Sequence, residues 1–164
     1  MDTKRLTRLA LLTAAALILF TVEAQLPPPV PIPGVKLGLA NVVTVYVLFR
    51  YGARDALLVL LTRVLLGGIF AGSAVTLLFS LGGGLLCWLV TLPLRKLLTE
   101  RQLWVCGALG AMAHNLGQMA VCVAVYGTAA VLVYLPALLL AGLAAGLFTG
   151  LAAQFLLMRA KGAS

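Results

Sequence analysis

The chain has 164 residues, 63 % of them hydrophobic and only 10 % charged, with a mean hydropathy of +1.13 and a net charge of +8. A water-soluble domain carries roughly a quarter charged residues, so a soluble fold is excluded and lipid is the solvent for most of this surface. The length allows one domain, residues 1–164, with no room for a second.

Backbone amides in hydrocarbon must pair internally, which leaves helices or a closed barrel. A barrel needs alternating polar and apolar residues. The runs Leu9 to Val22 and Val131 to Leu157 do not alternate and are rich in Leu and Ala, so the expected fold is an all-α integral membrane bundle of about six transmembrane helices.

Helix 1 is expected at 6–25. Lys4, Arg5 and Arg8 precede its apolar run, and Val22-Glu23-Ala24 has the look of a signal-peptidase site. The run plus its flanks is long enough to span, so an uncleaved first helix is preferred. Pro27, Pro28, Pro29, Pro31 and Pro33 then break the chain. Helix 2 is expected at 37–50, helix 3 at 54–70, helix 4 at 74–94, helix 5 at 103–126 and helix 6 at 129–157. The separators are Arg50 to Arg54, Gly72, the basic loop Arg95 to Arg101, and Tyr126-Gly127-Thr128. Helix 2 is short for a span, and helices 2 and 3 as a re-entrant hairpin would place Arg50 and Arg54 inside the membrane. Six full spans are therefore preferred.

The positive charge reports topology before it reports a partner, and nucleic acid is not expected. With the N-terminus in the cytoplasm, every Lys and Arg except Lys36 and Arg63 falls on the cytoplasmic side. The positive-inside rule then predicts a multi-pass protein of the cell membrane with both termini cytoplasmic.

Gly142, Gly146 and Gly150 form a smooth stripe on helix 6, and Gly68 and Gly72 a shorter one on helix 3. Packing within one bundle is preferred over an oligomer interface for these stripes. Ala10 and Ala14 make a weaker pair on helix 1. Cys87, Cys106 and Cys122 all lie in apolar runs and read as buried free thiols, with no disulfide and no metal site.

Glu23, Lys36, Asn41, Arg63, His114, Asn115 and Gln118 are polar where the membrane should be. Such groups are expensive in lipid and usually face a bundle interior or a wet cavity. Glu23, Lys36 and Asn41 sit near the outer ends of helices 1 and 2. Arg63 is in the middle-to-outer part of helix 3. His114 lies about 16 Å from the inner end of helix 5, at 1.5 Å per residue, and Gln118 shares its face one turn further out. All seven fall at mid-depth or beyond, which predicts one polar cavity open to the outside. Its cations, Lys36, Arg63 and the titratable His114, outnumber Glu23, and arginine offers a bidentate fork to a carboxylate or phosphate. The structural alternatives are an Arg63–Glu23 pair, amides that tie helices together, and a Lys36 that only snorkels to the headgroups.

Catalytic parts are missing from the sequence. It has no paired-carboxylate motif, no Walker sequence, no HExxH and no aspartate-rich motif for magnesium diphosphate, its aspartates being Asp2 and Asp55. No catalytic residue and no cofactor is expected.

The stretch Pro33-Gly34-Val35-Lys36-Leu37-Gly38-Leu39-Ala40-Asn41 resembles the signature of small membrane proteins of the Gx transporter family, also labelled heptaprenyl diphosphate synthase component I. Arg63-Val64-Leu65-Leu66-Gly67-Gly68, Ser80-Leu81-Gly82-Gly83-Gly84, Ala113-His114-Asn115-Leu116-Gly117-Gln118 and Tyr134-Leu135-Pro136 follow in the same order. That family is similar to the substrate-binding (S) components of energy-coupling-factor importers. The resemblance implies six helices, an outward-facing pocket covered by the loop between helices 1 and 2, and docking of an energising transmembrane subunit on an Ala-x-x-x-Ala surface. Ala10 and Ala14 match that spacing. ATP hydrolysis would come from separate ABC-type ATPases. The function so implied is uptake of a small anionic vitamin, cofactor or precursor, bound by Lys36, Arg63, His114, Asn115 and Gln118 with Asn41 and Glu23 at the mouth. The alternatives are a membrane accessory subunit in isoprenoid or quinone (heptaprenyl diphosphate) synthesis, and a scaffold in a membrane flavin electron-transfer complex.

Overall fold

The computed structural model describes residues 2–27 and 36–162. The expected lid residues Pro28, Pro29, Pro31 and Pro33, with Gly34 and Val35, lie outside the described residues. Among the described residues there are six α-helices and no strand: α1 (Thr3–Gln25), α2 (Asn41–Arg50), α3 (Ala53–Ala71), α4 (Ala74–Leu97), α5 (Leu103–Tyr126) and α6 (Leu135–Gly162). Short 3-10 turns over Glu100–Gln102 and Ala129–Tyr134 lead into α5 and α6. Four of these segments are long and apolar enough to cross a membrane: α1, α4, and α5 and α6 together with their leading turns.

The stops and starts have local causes. Gly72 ends α3 and Gly127 ends α5, both in the left-handed conformation with φ of 61° and 65°, where a side chain would be strained. Ser73 caps α4 by accepting from the Thr76 amide at 3.2 Å. The expected end of helix 4 at residue 94 is too early. Pro93 lies close enough to the C-terminus that α4 runs on to Leu97. The expected start of helix 6 at 129 is also early for an α-helix. Pro136 sits in the first turn of α6, where its missing N–H does no harm, and the residues before it take the tighter 3-10 form.

Helix 2 departs most from expectation. It begins at Asn41, not 37, because Gly38 has φ +83° and turns the chain. Its ten residues rise only about 15 Å, too short to cross a bilayer of about 30 Å alone. It has no need to, because Asn41, Val43, Thr44, Val45, Val47 and Leu48 are buried on all sides. One core joins α2 to α1 and α3 through Leu9, Ala16, Val47, Leu48 and Val59. Another joins it to α5 and α6 through Val45, Leu103, Cys106, Ala153 and Leu157. The short helix is the centre of the bundle. Irregular backbone at membrane depth is tolerated there because protein surrounds it.

The expected glycine stripe on helix 6 is an intramolecular packing surface. A Cβ on Gly146 would meet the Gly107 carbonyl oxygen at 2.6 Å, and one on Gly150 would meet Trp104 Cα at 2.7 Å. The α4–α5 contact is built alike, with Gly117 against Gly82 and Gly83. Close approach of backbones replaces hydrophobic drive where lipid competes for apolar surface. The shorter stripe on helix 3 does not hold. Gly68 packs against Leu77, but a Cβ on Gly72 would meet nothing, and that residue serves the turn. Cys87, Cys106 and Cys122 are buried free thiols. The outside is apolar, with Phe70, Leu97 and Val133 all more than 70 % exposed, as a lipid-facing surface requires.

Both termini lie at one end of the bundle. Arg5 near the start of α1 donates to Asp55 Oδ2 at the start of α3, at 2.6 and 2.8 Å, and reaches the Tyr51 carbonyl after α2. Lys161 at the end of α6 pairs at 2.6 Å with Glu100, just before α5. The basic residues expected to face the cytoplasm are gathered at this end. Asp55 is a carboxylate the sequence reading left unassigned. It sits in the first turn of α3, where a negative charge complements the helix dipole. Because Arg5 is 46 % exposed, Asp55→Asn should destabilise by only about 1 kcal/mol, read from thermal unfolding in detergent.

Candidate functional site

At mid-depth and toward the end away from the termini, the polar residues of four elements meet. α1 brings Glu23, α3 brings Arg63, α5 brings His114 and Gln118, and the segment 36–41 brings Lys36, Gly38 and Asn41. The cluster is sealed: Glu23, Asn41, Arg63, His114 and Gln118 are each no more than 6 % exposed. The expected outward opening is closed by the segment leading into α2.

Two side chains latch that segment. Glu23 accepts the Gly38 amide on Oε1 at 2.6 Å and the Leu39 amide on Oε2 at 3.0 Å. Both oxygens accept, as an ionised carboxylate does. Gln118 pairs with the backbone of Lys36 in both directions: its Oε1 accepts the Lys36 amide at 3.0 Å and its Nε2 donates to the Lys36 carbonyl at 2.9 Å. These amides would otherwise be unpaired near the membrane interior, where an orphan N–H is expensive.

His114 is packed between two glycines. A Cβ on Gly38 would lie 3.0 Å from His114 Cδ2 and 2.7 Å from Asn41 Nδ2. One on Gly83 would lie 2.7 Å from His114 Cε1 and 2.9 Å from Gln118 Cγ. Gly38 is therefore required twice over, by its positive φ and by the imidazole against it. His114 Nε2 contacts Gln118 Nε2, one turn along α5. The imidazole and the loop-latching amide thus act as a unit.

Lys36 points elsewhere. Its ammonium lies 3.5 Å from the centroid of the Phe20 ring, a cation–π contact, and Phe20 in turn fills the space beside Gly67. Partial burial holds its pKa below the ordinary lysine value, a pull that nearby Glu23 opposes and Arg63 reinforces.

Arg63 is the unresolved charge. It is 2 % exposed, it reaches Asn41 Oδ1 only at 3.5 Å, and its Nε has no hydrogen-bond partner among the described residues. The expected structural alternative, a pair with Glu23, is not formed, since the ion pairs among the described residues are Arg5–Asp55 and Lys161–Glu100. All four acids of the chain (Asp2, Glu23, Asp55 and Glu100) are described, and none lies within ion-pair distance of this guanidinium. A buried guanidinium with a spare donor, reaching only Asn41, has the fork that a carboxylate or phosphate fits. Asn115 turns the other way. It donates to the Leu138 carbonyl at 2.6 Å and ties α5 to α6. Among the described residues no group of three or more His, Cys, Asp or Glu residues is placed to hold a metal ion.

The fold and this site define a class: a small helical membrane protein with a buried, cation-bearing polar core held against residues 36–41. The chain belongs to the family described as heptaprenyl diphosphate synthase component I, which matches it over residues 12–156. This agrees with the Gx-type, S-component-like resemblance carried by the sequence motifs. Neither a curated protein nor a solved structure matches the chain.

Proposed function

We propose that this protein is the substrate-binding membrane subunit of an importer and takes a small anionic vitamin, cofactor or precursor. The observation that carries this reading is Arg63, buried without a carboxylate partner among amide and imidazole groups. A ligand carboxylate or phosphate completes its hydrogen bonding in a medium where a lone charge is costly. Asn41, His114 and Gln118 complete the lining, and Lys36 and Glu23 sit at the mouth. Asn115 braces α6 behind them. Entry needs the latch on residues 36–39 to open, so binding and loop closure are one event. The termini and their basic residues face the cytoplasm, and the membrane is the cell membrane.

The energising partner docks on α1. Ala10 and Ala14 are exposed there, beside an apolar groove of about 410 Å³ that also includes Leu6, Thr13, Leu58 and Leu66. Separate ABC-type ATPases drive the cycle, since the chain itself has no nucleotide motif. The family's description favours a second reading, a non-catalytic membrane partner of an isoprenoid synthase. A diphosphate would suit the same guanidinium.

Native mass spectrometry of gently purified protein separates the two readings. A retained anionic vitamin or cofactor, with an ABC-type ATPase copurifying, supports the importer. A retained polyprenyl phosphate, with a prenyl synthase copurifying, supports the second reading. In either case Arg63→Ala should weaken retention by roughly a hundredfold, the scale of losing one partner of a buried charge pair, while Arg63→Lys restores part of it. Unchanged retention in Arg63→Ala would sink the site assignment.

A further inference from the structure

The end of the bundle that carries the termini holds a second feature, independent of the polar cluster. A recess of about 320 Å³ lies between the start of α1 and the end of α2, lined by Asp2, Lys4, Arg5, Arg8, Arg50 and Tyr51. Four cations face one carboxylate. Arg5 is committed to Asp55 and the Tyr51 carbonyl. Lys4, Arg8 and Arg50 have no carboxylate within ion-pair distance among the described residues. Arg50 is oriented by the Tyr51 ring, 5.6 Å from its centroid, which positions the charge without neutralising it.

An apolar trough of about 260 Å³ lies along the same two helices and α6, lined by Leu12, Val42, Val43, Tyr46, Leu156 and Ala160. Leu12 is one turn beyond Arg8 on α1. On α2, Tyr46 lines the trough one helical turn before Arg50, which lines the recess. The α1–α2 pair therefore presents unpaired positive charge at the membrane surface and, one turn deeper, a groove for hydrocarbon. A free anion would use only the first part, and a purely apolar molecule only the second.

We propose that this recess and trough form a binding site for an anionic phospholipid, with the lipid phosphate against Lys4, Arg8 and Arg50 and one acyl chain along Leu12, Tyr46 and Leu156. Such a lipid would hold α1 to α2 and α6 at the end where the termini lie. Basic recesses between membrane helices bind anionic headgroups through this same pairing of charge and depth.

The test uses the full chain, delipidated in detergent and titrated with phosphatidylglycerol, phosphatidylcholine or inorganic phosphate, with bound lipid counted by native mass spectrometry. Phosphatidylglycerol should bind in preference to phosphatidylcholine, and inorganic phosphate should fail to displace it. Arg8→Gln/Arg50→Gln should weaken phosphatidylglycerol by roughly thirtyfold, the scale of two basic side chains at an anionic membrane surface, and leave phosphatidylcholine unchanged. The control Arg95→Gln/Lys96→Gln removes equal charge from the same end outside the recess and should change nothing. Leu156→Trp, at a position 51 % exposed, blocks the trough without loading the core and should weaken the lipid even if the double arginine variant fails to fold. Equal binding of the two lipids would overturn the proposal. So would equal losses in the control, displacement by phosphate, or an unaffected Leu156→Trp.

Discussion

Gly146→Val should destabilise the bundle by at least about 3 kcal/mol, and in most detergents leave no folded protein to purify. A Cβ at this position would lie 2.6 Å from the Gly107 carbonyl oxygen and 2.8 Å from Ala108 Cα. These are backbone atoms of α5, and they cannot rotate aside as the tip of a side chain can. Valine adds two methyl groups beyond that Cβ, so α5 and α6 must separate along their whole contact. Separation opens the Leu103, Cys106, Ala153 and Leu157 core and strips α2 of one wall. Ala144→Val on the exposed face of the same helix adds the same two methyl groups at nearly the same depth and should leave thermal unfolding within about 0.5 kcal/mol of the parent. If both variants unfold alike, valine content in the helix is responsible and the close approach is not.

Glu23→Gln should release the segment that seals the polar core. The carboxylate accepts two backbone amides, from Gly38 and Leu39, on its two oxygens. A carboxamide keeps one acceptor and turns an NH2 toward the other amide, so one bond is lost and a donor faces a donor. Hydrogen bonds to charged groups contribute about 1.5–3 kcal/mol each, and an orphaned buried donor adds its own penalty. Amide exchange at Gly38 and Leu39 should therefore speed up on the order of a hundredfold, while exchange in the middle of α5 is unchanged. Gln118→Ala removes the other half of the latch and should act on the same amides without simple additivity, because both side chains hold one short segment. If exchange at Gly38 and Leu39 is unaltered in Glu23→Gln, the seal rests elsewhere and the coupling of binding to loop closure fails. If exchange rises and retained ligand falls with it, that coupling is supported.

Much of this molecule is legible before any coordinates. Lipid as solvent, six helical segments, the breaks at Gly72 and Gly127 and the gathering of basic residues at one end follow from composition and local pattern. Hydropathy and turn chemistry act over a few residues, so a linear reading suffices for them. The same reading picked out Glu23, Lys36, Asn41, Arg63, His114 and Gln118, because a charged or amide side chain in an apolar run is conspicuous, but it passed over the buried hydroxyls of Thr44 and Ser80. It failed where the answer depends on which groups face one another. Helix 2 reads as a marginal span and is instead a buried central helix, since burial on all sides by five neighbours leaves the same apolar pattern as a lipid-facing helix. Gly72 fits a packing stripe by spacing but stands in open space at a turn. Asp55, isolated in a basic stretch, gives no sign of its bond to Arg5, 50 residues away.

The partnerships of the polar core were decided by tertiary structure alone. Sequence named Glu23 and Arg63 as opposite charges at similar depth, for which a mutual pair is the simplest expectation. The fold instead delivers the amides of Gly38 and Leu39 to Glu23 first, and leaves Arg63 buried with Asn41 at 3.5 Å as its side-chain contact. Gln118 finds the backbone of Lys36 across 82 residues of chain, and Asn115 finds α6 rather than the site. Depth in a membrane is a one-dimensional quantity set by hydropathy and helix rise, so the sequence by itself determines it. Which donor meets which acceptor depends on the rotation and approach of packed helices, and only the assembled glycine-lined bundle sets those.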